Sequence, residues 1–320
     1  MTLIGTGLAG KCGASACLDL PDDRLPQGTF DGADGTMRPL ALHYAPLHHE
    51  GVRQRVAMMA DWIATSRPDL MIVDVSVEVA MLARLASVPF VYVRLHGRRD
   101  DRPHRDVFAS AHALLAPFAK PLDESATPDW VKAKTCHAPG IGSVARSQPV
   151  DPDRVLVVVG RGGQVSDGKR WAEAAAAVPE RRWRVIGPST PPAYLPANLE
   201  MAGWVDDADA EIARAGVVIG AAGDGLVSAV LAHARPFICF PEPRAFDEQT
   251  CKAERLAALD AAIVAHQWPA AERWRSMIKA AECQPERRHP ELHARDGAVR
   301  AAQWLEQLVT SQHRVLRAVS

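Results

Sequence analysis

The sequence predicts an α/β protein of two domains, each a parallel sheet with helices packed on it. Three observations carry that expectation. Short apolar runs alternate with stretches whose apolar residues recur at helical spacing, the pattern of strand–helix–strand units. The length of 320 residues suits about two domains of ~150 residues each. A Pro-, Gly- and Ser-rich stretch, HAPGIGSVARSQPVDP (137–152), divides the alternation into two runs. The expected layout is an N-terminal domain over 1–136, a linker over 137–152, a second domain over 153–290 and a C-terminal helical segment over 291–320. A cleft between the domains, at the carboxyl ends of strands, is the expected ligand site.

The chain opens MTLIGTGLAG, in which Gly5, Gly7 and Gly10 spell G-x-G-x-x-G after a short apolar run. A dinucleotide-binding turn needs a helix directly behind its glycines, so that backbone N–H groups and the helix dipole hold a pyrophosphate. It also needs an acidic residue at the end of the next strand. The following KCGASACLDLPDDRLPQGTFDGADG is broken by Pro21, Pro26 and repeated glycines and lacks an apolar repeat at helical spacing. GTGLAG is therefore not read as a dinucleotide-binding loop. Next come an amphipathic helix, GVRQRVAMMADWIATS (51–66), and two strands buried on both faces, DLMIVD (69–74) and PFVYVR (89–94), with the helix VSVEVAMLARLAS between them. ALLAPF (113–118) is a further strand. Beyond the linker the order is strand 154–160, helix 167–178, strand 182–187, strand 199–204, helix near 207–214, strand 216–222, helix 224–234 and strand 236–241. Helices around 247–260 and 291–310 close the chain.

Composition excludes several classes. Apolar residues are 48% and charged residues 23%, with a net charge of −1, so no bulk attraction to nucleic acid or an acidic membrane is expected. No apolar run reaches the ~18 residues of a spanning helix, and the N-terminus lacks a signal peptide's layout. The six cysteines (12, 17, 136, 239, 251, 283) show no C-x-x-C and no paired Cys/His spacing. They are expected to be reduced thiols in a cytoplasmic protein without a metal site or a cofactor.

The most specific stretch is GWVDDADAEIARAGVVIGAAGDGLVSAVLAHARPFICFPEPRAFDEQTCKAERLAAL (203–259). Its order of parts is a Gly-Trp strand end, a short helix, a glycine turn into a helix, an Arg-Pro strand and then Asp-Glu-Gln. It resembles the nucleotide-sugar half of GT-B glycosyltransferases, which have two Rossmann-like domains. The likeness is to the bacterial lipid-linked N-acetylglucosamine transferase and to related UDP- or dTDP-sugar transferases of small molecules. It covers most of 150–310 and, more weakly, 68–118. The resemblance implies a metal-independent transfer from a nucleoside-diphosphate sugar to an acceptor hydroxyl whose identity the sequence does not give.

The donor-binding residues follow. Ala222, Gly223, Asp224 and Gly225 lie in a turn where the backbone can approach a diphosphate and the next helix offers free N–H groups; the alternative is that the glycines only permit tight packing. Asp224 is expected to cap that helix, although its charge repels a nearby phosphate. Gly160, Arg161, Gly162 and Gly163 form a second glycine turn, which the resemblance sets at the diphosphate or sugar. Trp204 and Val205 match the nucleobase position, where stacking competes with a core role for the tryptophan. The resemblance implies that Asp247, Glu248 and Gln249 meet sugar hydroxyls, against a reading as an acidic helix start.

Two departures matter. Ala229 stands where relatives carry a glutamate that grips the ribose, a loss of about 1.5–3 kcal/mol of charge-assisted hydrogen bonding. The chain also begins at what resembles the family's second strand, so one βα unit of ~30 residues, whose loop often bears the catalytic histidine, is expected to be missing and the N-terminal domain truncated. The general base then comes from elsewhere or does not exist. Candidates are His96, Asp100 and Asp101 in RLHGRRDDRPHR, with His43, His48 and His49 a second cluster; a histidine near pKa 6.5 suits the task. His96 and Asp100 are the residues carried forward as catalytic. The arginine run 94–105 either meets an anionic acceptor or is a solvated, internally paired surface. Two other readings remain open: a sugar-nucleotide hydrolase or epimerase of the same fold, and a non-catalytic partner protein.

Overall fold

The computed structural model describes residues 1–10, 16–25, 39–142, 147–160, 162, 165–284 and 290–319, side chains of 312–319 excepted. The chain divides into two compact units, Met1–Arg94 with Asp100–Leu114, and Leu95–Arg99 with Leu115–Ser320. Arg161, Gly163 and part of the expected linker lie outside the described residues.

In the first unit β1 (Thr2–Gly5) pairs in parallel with β2 (Ala16–Asp19), Thr2 opposite Ala16 and Gly5 opposite Asp19. β1 ends at Gly5, and among the described residues the next helix is α1 (Glu50–Ser66). Among the described residues, GTGLAG is not followed by the helix that a dinucleotide turn requires. α1 buries Met59 and Ile63 and is capped by His49, whose side chain accepts from Val52 N. β3 (Met71–Asp74), α2 (Val77–Leu85) and β4 (Phe90–Val93) make a strand–helix–strand unit, with β3 and β4 parallel and Met71 opposite Phe90. Phe90, Val91 and Tyr92 are all buried, as a continuous apolar run demands of a strand covered on both faces. α3 (Arg102–Ser110) follows, and the first unit ends inside β5 (Ala113–Ala116), at Leu114. Sequence periodicity missed α3, since its local signals are the Asp101 cap and Pro103 in the first turn, with only Val107 and Phe108 as large apolar anchors.

The second unit opens with α4 (Asp129–Lys134) and β6 (Thr135–His137), then takes up the expected alternation. β7 (Asp151–Val158), α5 (Gly168–Ala177), β8 (Arg182–Ile186), β9 (Leu199–Gly203), α6 (Ala208–Arg214) and β10 (Ala215–Gly220) come next. α7 (Asp224–His233), β11 (Phe237–Cys239), α8 (Glu248–Ala258), β12 (Ile263–Val264), α9 (Arg273–Cys283) and α10 (Gly297–Val319) complete it. The six strands form one parallel sheet in the order β12-β11-β10-β7-β8-β9. Counted from β7, this is the doubly wound order 3-2-1-4-5-6.

Alternation along the strands explains why both faces are covered. In β7 Val155 and Val157 pack on one cluster and Leu156 on the other, and β10 divides Val217 and Ile219 from Val218 in the same way. One cluster is built around Trp171, Trp183 and Trp274, with Phe240 and Trp268 against it. α9, which carries Trp274, and the strands β2, β6 and β12 were not expected from the sequence. The expectation of six thiols fails at Cys17, which is disulfide-bonded; Cys136, Cys239, Cys251 and Cys283 are free. No helix among the described residues is long and apolar enough to cross a membrane.

Candidate functional site

In a doubly wound sheet the winding reverses between the two central strands, and the connections leaving their carboxyl ends part there to form a crevice. In the second unit those strands are β7 and β10. Gly160 and Gly162 lie just beyond β7, and Gly220–Gly225 leads from β10 into α7. The two glycine turns singled out in the sequence therefore flank the switch point.

The glycines do different work. A Cβ on Gly220 would stand 2.4 Å from Leu226 Cδ2 and 2.9 Å from Val158 O, so that residue is fixed by packing. A Cβ on Gly160, Gly223 or Gly225 would meet nothing within 4 Å, and Gly223 has an ordinary extended backbone, φ −69° and ψ 147°. Neither packing nor conformation requires glycine at these three positions. What their missing side chains provide is open space beside a helix start.

Gly223, not Asp224, is the N-cap of α7, and no side chain caps the helix. This corrects the expectation that Asp224 caps it. The Asp224 carboxylate is instead 2.5 Å from Nζ of Lys252, which is buried and also donates to Ala222 O at 3.0 Å. Pairing neutralises the acidic group in the first turn of α7, which would otherwise repel an anion at this helix start. The sequence reading missed Lys252, though a signal was present: Gln249, Lys252, Ala253 and Leu256 form the buried stripe of α8 at i, i+3, i+4, i+7, and one of the four is a lysine.

Gln249 Oε1 accepts from Ala222 N at 3.2 Å and from Glu242 N at 2.9 Å, tying the glycine turn to the loop before α8. Glu248 pairs with Arg99 at 2.9 Å and Asp247 with Arg98 at 3.5 Å. Phe246 and Asp247 are consecutive left-handed residues, φ 60° and 53°, a conformation that costs non-glycine residues energy. Phe246 O accepts from Arg98 N at 2.7 Å, and a Cβ on Gly97 would stand 2.5 Å from that oxygen. The 97–99 segment is thus docked on 246–248. The arginine run is not uniformly solvated: Arg94 and the Arg99 side chain are buried, while Arg98 and Arg102 are exposed.

His96 belongs to this second unit and is 1% exposed. Its ring stacks on Phe118 with centroids 3.8 Å apart, and Nδ1 lies 3.0 Å from Glu124 Oε1. Burial pushes the imidazole below its ordinary pKa, against the opposing pull of Glu124. Burial alone would raise Glu124, but hydrogen bonds from His96 and Gly97 N outweigh it and keep the carboxyl low. A neutral ring donating from Nδ1 to an ionised carboxylate leaves the lone pair on Nε2. Nε2 has no partner among the described residues. His96 lines a cavity of about 20 Å³ together with Asp224, Ser228, Lys252 and His293, enough space for a single water.

Trp204 is 55% exposed at the end of β9, so the core reading of that tryptophan fails, and Val205 packs against the core. Asp100 is exposed in the first unit, with no hydrogen bond or ion pair among the described residues. Ala229 is 5% exposed within the core of α7 and cannot present a ribose-gripping group without burying it.

No protein-family model and no curated protein matches the chain. Solved structures do. The glycotransferase of kitacinnamycin superposes with a TM-score of 0.70 at 17% identity, over 96% of this chain and 91% of that one. MurG of Acinetobacter baumannii gives 0.61 at 15% identity, over 95% and 90%. The spinosyn rhamnosyltransferase SpnG, complexed with thymidine diphosphate, gives 0.52 at 17% identity, over 95% and 86%. The chain has the GT-B fold of these glycosyltransferases, as the 203–259 stretch implied.

Proposed function

We propose that this chain transfers a sugar from a nucleoside-diphosphate sugar to an acceptor hydroxyl without a metal in the donor site. The carrying observation is the open space at Gly160, Gly223 and Gly225 around the switch point, beside a helix start whose first-turn carboxylate, Asp224, is neutralised by Lys252. The diphosphate sits on the N-terminal N–H groups of α7, which stabilise charge as the anomeric carbon–oxygen bond breaks. Trp204 stacks on the base beside Val205, and Gly162 borders the diphosphate or the sugar. Asp247, Glu248 and Gln249 hold the segment that meets the sugar. The thymidine diphosphate bound to SpnG makes dTDP the first nucleotide to test.

Of the two catalytic candidates, Asp100 has the accessible carboxylate and is assigned the acceptor proton. His96, with room beside it for one water, is assigned a supporting role under the glycine turn. Cytoplasmic residence belongs to the same reading. The free thiols support it and the Cys17 disulfide stands against it; a Cys17 bond that survives cytosolic reducing conditions would count against it.

The test is a screen of UDP-, dTDP- and GDP-sugars with pooled hydroxyl acceptors, read as nucleoside diphosphate released and glycosylated product formed. Transfer abolished by Asp100→Asn supports the assignment. Diphosphate release without acceptor product identifies a hydrolase, and an isomerised donor identifies an epimerase. The burial of His96 favours one further reading, a non-catalytic protein of the same fold. Calorimetry that detects no binding of UDP, dTDP or GDP would select that reading.

A further inference from the structure

We propose that His43, Asp101 and His104 form a binding site for a zinc-class divalent cation within the first unit. His43 Nε2 lies 2.8 Å from Asp101 Oδ2, and His104 Nδ1 lies 2.6 Å from Asp101 Oδ1. One ligand atom from each residue falls within 4.8 Å of the other two, and the imidazole centroids are 4.5 Å apart. Bonds of about 2.0–2.2 Å around a tetrahedral zinc put ligand atoms ~3.3–3.5 Å from one another. The two imidazole–carboxylate contacts would lengthen by ~0.5–0.8 Å to match that spacing, and the two imidazole nitrogens, which lie within 4.8 Å of each other, would close toward it.

The trio is held in place from several sides. Asp101 is the N-cap of α3, its Oδ1 accepting from His104 N at 3.1 Å, so its carboxylate is fixed at the helix start. His104 is completely buried one turn later. On the opposite segment, Glu78 Oε1 accepts from His43 N at 2.7 Å and from Tyr44 N at 2.9 Å, and Glu78 Oε2 accepts from Ser76 Oγ at 3.3 Å. Two imidazoles and one carboxylate form a set that Zn²⁺ prefers and that Mg²⁺ or Ca²⁺, which take mostly oxygen ligands, do not. His43 and Asp101 are 58 residues apart, which is why no metal-ligand spacing is visible in the sequence. A cation there would tie the segment at His43 to the start of α3. All three residues lie in the first unit, so the proposal does not depend on the donor chemistry assigned to the second.

The experiment uses the full chain, stripped with EDTA, exchanged into metal-free buffer and titrated with Zn²⁺ against a chromophoric chelator. Elemental analysis gives stoichiometry, and Co²⁺ replacement gives a ligand-field spectrum. One Zn²⁺ per chain is expected, with a tetrahedral-type Co²⁺ spectrum and a raised Tm. His43→Ala should lower affinity by more than the ~10–100-fold that loss of even an outer-shell partner costs, and should abolish the Co²⁺ spectrum. His43 is half-buried on a loop, so this variant keeps the test sound even if the buried His104→Gln does not fold. Absence of stoichiometric Zn²⁺ binding overturns the proposal and leaves the trio a hydrogen-bonded network. Binding and Co²⁺ spectrum unchanged in His43→Ala overturn it equally, assigning the metal to other side chains.

Discussion

Nζ of the buried Lys252 lies 2.5 Å from Oδ1 of Asp224, and the two partners differ sharply in exposure: the lysine side chain is 1% exposed and the aspartate 40%. The pair should therefore respond asymmetrically to mutation. Asp224→Ala leaves a buried cation with the Ala222 carbonyl as its remaining hydrogen-bond acceptor, a loss of about 3–5 kcal/mol. Lys252→Met leaves a carboxylate that water can reach, a loss of about 1–3 kcal/mol. Denaturant unfolding of the two variants measures the order, and a Lys252→Met protein less stable than Asp224→Ala would refute the argument. Lys252→Met should also weaken nucleoside diphosphate binding, because the freed carboxylate repels phosphate at the start of α7.

The glycines around β10 should separate stability from binding. Gly220→Ala places a methyl against Leu226 and Val158 O and should cost about 1–3 kcal/mol through overpacking. Gly223→Val meets open space with a compatible backbone, so its cost should be about 1 kcal/mol or less. It should nevertheless abolish UDP or dTDP binding by filling the place assigned to the diphosphate. Calorimetry on the folded Gly223→Val protein decides, and wild-type affinity would remove the diphosphate from this turn.

Strands β7 to β11 of the second unit were legible as short, largely apolar runs whose order of appearance carried the resemblance, whereas β6 and β12, three and two residues long, are too short to show a pattern. Four other features were not legible. α3 begins RPHRD, where a capping aspartate and a proline decide the helix and periodicity is silent. Glu124, which orients His96, sits in a loop 28 residues away with nothing local to mark it. Gln249 accepts from Ala222 N and Glu242 N, and Glu248 pairs with Arg99 where 97–99 docks on 246–248, contacts that nothing local in the sequence marks. Asp224 was read as a cap because a carboxylate beside a glycine at a helix start satisfies that pattern, and the competing lysine lies 28 positions on.

Ala229 changes meaning once its burial is known. As a sequence departure it suggested that Ala229→Glu would restore a ribose contact and tighten nucleotide binding. At 5% exposure within the α7 core, a glutamate there is desolvated without a partner, and burying such a group costs about 2–7 kcal/mol. Ala229→Glu should unfold or strongly destabilise the second unit. A folded variant with unchanged Tm and tighter UDP binding would show that α7 presents this position to ligand.

His96 should make stability fall on mild acidification. Its folded pKa is held below the ordinary 6.5, first by burial and then by the charge of Lys252, against the opposing effects of Glu124 and Asp224. The unfolded chain therefore binds a proton as pH falls through about 6.5 while the folded one does not, and unfolding is favoured from that pH downward. Above that value both states are neutral and the histidine contributes no slope. Glu124 acts in a separate, more acidic window below its usual 4.5: its depressed folded pKa adds stability that is lost as the carboxyl protonates. His293, also lowered by burial, adds to the first window, so the measurement is the difference between wild type and His96→Gln. Denaturant unfolding between pH 7.5 and pH 5 should show a shallower pH dependence in His96→Gln, with the two proteins converging in slope above about 6.5. Equal slopes between pH 6.5 and pH 5 would mean that His96 takes up its proton as readily in the folded protein as in the unfolded chain.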